Sequence, residues 1–364
     1  MDMKALLKRL VETESPSSDK AAVDRVGAIV ADEARRLGAA LEIAPVKDAG
    51  DHLIARWGRG AGGILLLCHM DTVFPLGTLE KMPYHESDGK IYGPGVLDMK
   101  SGIVIALEAV ERLQTRGGLA RRVTLLCTSD EEVGSLTSEQ LIVKLAKEAE
   151  LVLVLESALS DGSLKTWRKG VGEFWVKVKG RAAHAGGNHA EGRNAIEEMA
   201  HQVLAIQKMT DYEKGTTLNV GVIQGGTVSN VVPEEAVAQV DVRVMQPGEW
   251  ERVESEMRAL KPVLDGTSLE ITGGLNRPPM PFDQTMKTTF EKIQAIGAEI
   301  GLDLKAGGSG GGSDGNFVAP LGIPVMDGLG AIGEGLHSGR EFIDADSLEE
   351  RAGLLAAIIE KWQA

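Results

Sequence analysis

The chain has 364 residues, enough for two domains with a sizeable core. Hydrophobic residues make up 43% and charged residues 25%, the proportions of an ordinary globular protein. Lys and Arg number 39 against 53 Asp and Glu, a formal net charge of −14, which argues against a nucleic-acid partner or an anionic membrane surface.

The start, MDMKALLKRLVETESPSS, alternates charge with leucine and has neither an uninterrupted apolar stretch nor a small-residue cleavage site. No window reaches transmembrane length, so a cytoplasmic protein is expected. Leu6, Leu7, Leu10 and Val11 predict a short amphipathic helix ending near Ser15-Pro16. Ser18-Asp19 can cap a second helix running to roughly Leu37. Strands are predicted at Ala40–Ala44, Leu53–Trp57 and Ile64–Cys68, and a long helix opens at Asp98 and runs to about Leu113. Arg122–Cys127 and the five aliphatic residues Leu151–Leu155 are further strands, separated by a helix over Ser138–Ala149. Cys68 and Cys127 both lie in such apolar runs and read as buried thiols. Strands alternating with helices imply α/β architecture, a mostly parallel sheet with helices on both faces.

The period changes near residue 170. Phe174, Val176 and Val178 alternate with Trp175, Lys177 and Lys179, as in a half-exposed strand. A helix over Arg193–Met209, strands Thr217–Gln224 and Ala236–Val244, a helix Glu249–Leu260 and a strand near Leu269–Thr272 complete a βαββαβ ferredoxin-like unit. From about Pro281 the first pattern resumes, with helices Gln284–Ile300 and Ser347–Trp362 and a strand Ile323–Met326. The expected division is a discontinuous catalytic domain, 1–168 and 280–364, with an inserted domain, 169–279. The stretch GGSGGGSDGN lacks the lysine of a P-loop and reads as a tight-turning loop at the rim of a site.

The chemistry gathers at strand ends. His69 closes LLLCH, and Asp71, two residues on, can accept its second ring N–H and set the tautomer. Asp98 follows GPGVL; alone it would read as a helix cap. Glu131 and Glu132 follow a strand in TSDEEVGS, where one could bind metal while the other stays free to take a proton. Glu156 ends LVLVLE, a costly place for a charge that is neither paired nor metal-bound. His337 lies in GLHSG, where glycine lets the backbone approach an ion closely. Five potential ligands fit two divalent metals sharing one carboxylate, at the carboxyl edge where open α/β sheets place their ligands. Which of the two glutamates is the free one stays open at this point.

The segments HMDTVFP, GPGVLDMKSG, SDEEVGS, RAAHAGG, VSNVVPEEA and GLHSG resemble the co-catalytic zinc peptidases. That family includes bacterial glutamate carboxypeptidase (carboxypeptidase G), acetylornithine deacetylase, succinyl-diaminopimelate desuccinylase and aminoacylase-1, and the resemblance is greatest to the glutamate carboxypeptidase branch. It implies two zinc ions per subunit, with cobalt or manganese also suited to such ligands. It implies that Asp98 bridges them, that His69 and Glu156 complete one site, and that Glu132 and His337 complete the other. Glu131 would be the general base and Asp71 would orient His69. The inserted domain would be a lid that dimerises the protein, and its His184 would stabilise the oxyanion in the partner's site. Asn230 and Arg243 would bind the substrate carbonyl or carboxylate, with Arg243 expected to grip the free carboxylate and Arg277, Arg168 and Lys169 as lesser carboxylate candidates. Gly312 would sit in the family's GGGTD-type segment at the site rim, here with serine in the threonine place. The implied reaction cleaves an amide bond next to a free carboxylate in a small peptide or N-acyl amino acid, releasing a C-terminal glutamate or similar residue. An N-acyl-amino-acid deacylase or dipeptidase of the same family is the alternative. A non-enzymatic metal-binding scaffold is the alternative of another class, and retention of Glu131 beside every ligand argues against it.

Overall fold

The computed structural model describes residues 1–60 and 63–363. The chain divides into two compact units, one of residues 1–167, 282–309 and 313–364, the other of residues 168–281 and 310–312.

The first unit is built on a six-stranded sheet in the order Ala40–Ala44, His52–Trp57, Val123–Thr128, Ile64–His69, Leu151–Val154, Val325–Met326. The first two strands form an antiparallel edge, and the last four run parallel. Every residue of Ile64–His69, Val123–Thr128 and Leu151–Val154 is buried. A strand with no exposed side must be covered on both faces, which is why these sequences are continuous aliphatic runs with no alternation. Each leucine so buried contributes about 1.5–3 kcal/mol relative to exposure. Helix Ser101–Thr115 packs against the last helix, Ser347–Lys361. Cys68 pairs in register with Cys127 across the parallel strands, and both are free thiols. The register also aligns His69 with Thr128 and Leu67 with Val154, so His69, Glu131, Glu132 and Glu156 all leave the sheet at one edge. No helix among the described residues is long and apolar enough to cross a membrane.

The second unit has the chain order βαββαβ and the sheet order Thr217–Gly225, Glu235–Val244, Gly170–Lys179, Ser268–Arg277, antiparallel throughout. Burial alternates strictly along Gly170–Lys179 and Glu235–Val244. Phe174, Val176, Val178, Ala236, Ala238, Val240, Val242 and Val244 are buried in one core with Met199 and Ile206 of helix Ala195–Gln207 and Val253 and Met257 of helix Glu249–Arg258. Phe174 stacks on Trp250 with ring centroids 5.5 Å apart. Thr217–Gly225 is an outer strand of this sheet and carries Val222 and Ile223 at 42% and 53% exposure.

Two features depart from the sequence reading. The long helix starts at Ser101, not at Asp98; Asp98 lies in a non-helical kink, at φ −119° and ψ 94°. A second sheet of very short strands, in the order Gly333–Glu334, Phe342–Asp344, Lys90–Tyr92, His85–Ser87, was not anticipated. Strands of two or three residues are too short to show a period. Their effect is large all the same: the pairing of Phe342 with Tyr92 brings the loop carrying His337 beside the segment carrying Asp98.

Candidate metal centre

Two groups of side chains converge in the first unit: His69, Asp98 and Glu156, and Asp98, Glu132 and His337. In each, the candidate ligand atoms lie within 4.8 Å of one another, and Asp98 belongs to both. His69 Nε2 is 3.0 Å from Asp98 Oδ1 and 3.3 Å from Glu156 Oε1. His337 Nε2 is 3.0 Å from Asp98 Oδ2 and 3.3 Å from Glu132 Oε2. Asp98 thus offers one oxygen to each triad, the arrangement of a bridging carboxylate. Glu131 belongs to neither triad, but it lines a small cavity with His69, Glu156 and Asp314.

The local structure explains each placement. His69 Nδ1 is 3.0 Å from the main-chain carbonyl of Asp71 and donates its proton there, which turns Nε2 toward the triad. The Asp71 carboxylate, fully buried, lies 3.5 Å from the same nitrogen and accepts the main-chain N–H groups of Glu131 and Glu132, each at 3.2 Å, and the Ser17 hydroxyl at 2.7 Å. The Asp71 carboxylate thus holds the backbone of the two glutamates as well as lying beside His69. Glu156 follows the strand Leu151–Val154, whose end is pinched by two glycines. A Cβ on Gly102 would meet the Leu155 carbonyl at 2.2 Å, and one on Gly330 would meet it at 2.4 Å. His337 has φ 57°, in the left-handed region that is uncommon outside glycine.

The electrostatics fit cations. Burial opposes an imidazolium at His69, yet Asp71, Asp98 and Glu156 outweigh it and hold its pKa well above the usual value. Hydrogen bonds to Asp98 and Glu132 raise His337 to about 10. Burial works against ionisation of Asp98, but His337 and His69 hold its carboxyl well below the carboxylate range. Glu132 is pushed up, chiefly by burial, and its Oε1 is buried without a hydrogen-bond partner. A cluster of acids this close around two imidazoles calls for positive charge among them. Divalent ions would neutralise the same acids, take neutral imidazoles and satisfy the orphan oxygen of Glu132, so the donor set fits a metal pair.

One residue that the sequence reading overlooked stands behind the cluster. Glu341, with 0% exposure, accepts main-chain N–H groups from Leu97 and Asp98 through Oε1 at 2.7 and 2.9 Å, and from Gly95 through Oε2 at 2.9 Å. Burial raises its pKa to about 7. Lys100, also buried, donates to the Thr13 carbonyl at 2.9 Å, and burial lowers its pKa to about 7.

The remaining candidates lie in the second unit. His184 and Asn230 are neighbours: Ala183–His184 pairs with Val231–Val232, and the Ala185 N–H donates to the Asn230 carbonyl at 3.0 Å. His184 Nδ1 accepts the N–H groups of Gly186 and Gly187 at 3.1 and 3.0 Å, which places the ring proton on Nε2. Arg243 and Arg277 both pair with Val171, from opposite sides, and so stand at one level of the sheet. Arg243 is already engaged, its Nε and Nη2 donating to Asp241 at 2.8–3.1 Å. Arg168 donates to the carbonyls of Gly311 and Gly312 at 3.3 and 3.1 Å, which ties Gly310–Gly312 to the second unit.

The profile of Peptidase family M20/M25/M40 matches residues 65–361. Carboxypeptidase G2 from Pseudomonas sp. (strain RS-16) is 31% identical, an alignment covering 97% of this chain and 87% of that protein. Among solved structures, aminopeptidase PepT from Bacillus cereus superposes with a TM-score of 0.81 at 24% identity, covering 98% of this chain and 97% of its own. YXEP from Bacillus subtilis, a dinuclear metal-binding peptidase, superposes with a TM-score of 0.72 at 17% identity, covering 99% of this chain and 98% of its own. The chain belongs to peptidase family M20/M25/M40, a family of metal-dependent hydrolases, and is a metallopeptidase-type amidohydrolase.

Proposed function

We propose that the protein is a di-zinc hydrolase that cleaves a peptide or N-acyl amide bond next to a free carboxylate, with a C-terminal glutamate or similar acidic residue as the leaving group. The observation that carries this reading is the pair of triads sharing Asp98, with Glu131 beside them and in neither. The glutamate preference is supported by the 31% identity to carboxypeptidase G2. Two bound ions would polarise the scissile carbonyl and bring a water's pKa from ~15.7 towards ~7. The chain's own part is to place Glu131 where it can take a proton from the attacking water and pass it to the departing amine. The test is elemental analysis and turnover on one sample. About two divalent ions per chain are expected, with glutamate released from N-acyl glutamates; removing metal with a chelator should abolish turnover and re-adding zinc should restore it. Full turnover with a single ion, and no gain on adding more, would count against the shared carboxylate.

The second unit is proposed to be the dimerisation domain. An outer strand with exposed Val222 and Ile223 leaves main-chain groups unpaired on its open side, and a second copy of the strand would complete them. His184, whose Nδ1 accepts two glycine N–H groups and so leaves Nε2–H as a donor, is proposed to serve the metal site of the partner subunit by donating to the developing oxyanion. Mixing inactive His184→Ala chains with inactive Glu131→Gln chains should then recover part of the activity. Absence of recovery after verified subunit exchange would show that His184 serves its own chain or neither.

A further inference from the structure

Three observations single out Glu341. Its carboxylate is completely buried, yet its three main-chain partners all lie in the four residues Gly95–Asp98. These N–H groups face inward and belong to a kink with no helical partners, since Asp98 is extended and the helix begins only at Ser101. Glu341 itself stands four residues after His337, in the loop between the paired strands Gly333–Glu334 and Phe342–Asp344. One side chain therefore joins the loop that carries a ligand of the second triad to the segment that carries the shared ligand.

We propose that Glu341 is a positioning residue for the second metal ion, holding Asp98 from behind while the two imidazoles hold it from the front. The inference rests on the two-ion reading above. The asymmetry between the ions follows from what else supports each triad. His69 ends a fully buried strand, and Glu156 leaves a strand end pinched between glycines. His337 has no such support; it sits 53% exposed on a loop at positive φ. Loosening the link from Glu341 to Asp98 should therefore be felt at the Asp98–Glu132–His337 site more than at the Asp98–His69–Glu156 site.

Glu341→Gln keeps the shape but replaces one oxygen by an amide nitrogen. If the remaining oxygen stays on Leu97 and Asp98, the new N–H₂ faces the Gly95 N–H, donor against donor. The experiment is a zinc titration of the full-length metal-free protein against a competing chromophoric chelator, parent and variant side by side, with the unfolding temperature of both metal-free proteins as a fold control. The expected result is an unchanged affinity for the tighter ion and about 10–100-fold weaker binding of the other, the range for removing a hydrogen-bond partner of a ligand. Should the glutamine variant not fold, Glu341→Asp carries the same test, because it keeps the charge but its shorter stem cannot span all three N–H groups. Two ions bound as tightly as in the parent, or both weakened equally, would overturn the inference. A parent chain that binds only one ion would sink the two-ion reading instead, so the two failures are distinguishable.

Discussion

Replacing Glu131 with glutamine is expected to leave two metal ions bound and to lower kcat by ~10²–10⁴-fold or more, the contribution typical of a positioned general base. The geometry states why. Glu131 is outside both triads, so the amide removes no ligand. The amide cannot carry a proton, and the proposed route uses the side chain twice, once to accept from the water and once to donate to the amine. Its neighbour should behave in the opposite way. Glu132 contributes Oε2 to the His337 triad and has a buried, unpartnered Oε1, so Glu132→Gln should weaken metal binding first and turnover as a consequence. Metal content and single-turnover rate measured on the same two variants separate the roles. A Glu131→Gln protein that lost an ion would mean that ligand and base are exchanged. The arrangement of Asp71 adds a control: its carboxylate holds the N–H groups of both glutamates, so Asp71→Asn should disturb both properties together.

The second large effect is expected at the arginine pair of the second unit. Recognition of a free carboxylate calls for a guanidinium, whose paired donors match its two oxygens as a lysine point charge does not. Arg243 starts with Asp241 already on Nε and Nη2, so a substrate carboxylate would have to share or displace it. Arg277 stands at the same level on the other side of Val171 and is engaged as well, its Nη1 donating to Asn276 Oδ1 at 2.8 Å; at 6% exposure its guanidinium is the more desolvated of the two, and on that ground we propose it for the grip. Arg277→Ala should cost about 2–5 kcal/mol in kcat/KM, the range for truncating one partner of a desolvated charge pair. Arg243→Ala should cost less. The discriminating measurement repeats both on a substrate whose terminal carboxylate is capped as an amide. The Arg277 loss should largely vanish there, because that substrate never had the contact. An equal loss on both substrates would assign Arg277 to holding the sheet together.

What could be read from the chain, and what could not, divides by range. The aliphatic runs Ile64–Cys68 and Leu151–Leu155 announce strands because burial on both faces leaves no polar positions, and the titratable residues that end them stand out for the same reason. The alternation of Phe174, Val176 and Val178 announces a one-sided sheet equally plainly. The long helix reads as opening at Asp98, rather than at Ser101, because an aspartate ahead of a helical stretch carries the local signal of an N-cap. The competing partner of its N–H, Glu341, lies 243 residues away in the chain and exerts no local signature. Glu341 itself passes for a surface acid in SGREFID; only its place just before the alternating Phe342 and Ile343 hints at an inward side chain. Arg243 shows the same limit at short range. A strand places Asp241 on its face two residues away, but alternation alone does not say that the two side chains will pair.

The glycine pinch around Leu155 bears on how this enzyme can change. At Gly102 and Gly330 the nearest obstacle is main chain, which cannot rotate aside as a side chain can, so even a methyl group has to push the strand end that carries Glu156. Those two positions are closed to gradual variation. By contrast, Val73, Leu76, Val133, Leu136 and Leu336 are all exposed and stand only one to five residues from Asp71, Glu132 or His337. Variation is therefore accessible to selection, natural or in the laboratory, through the flanking loops, while the position of Glu156 stays out of evolution's single-step reach.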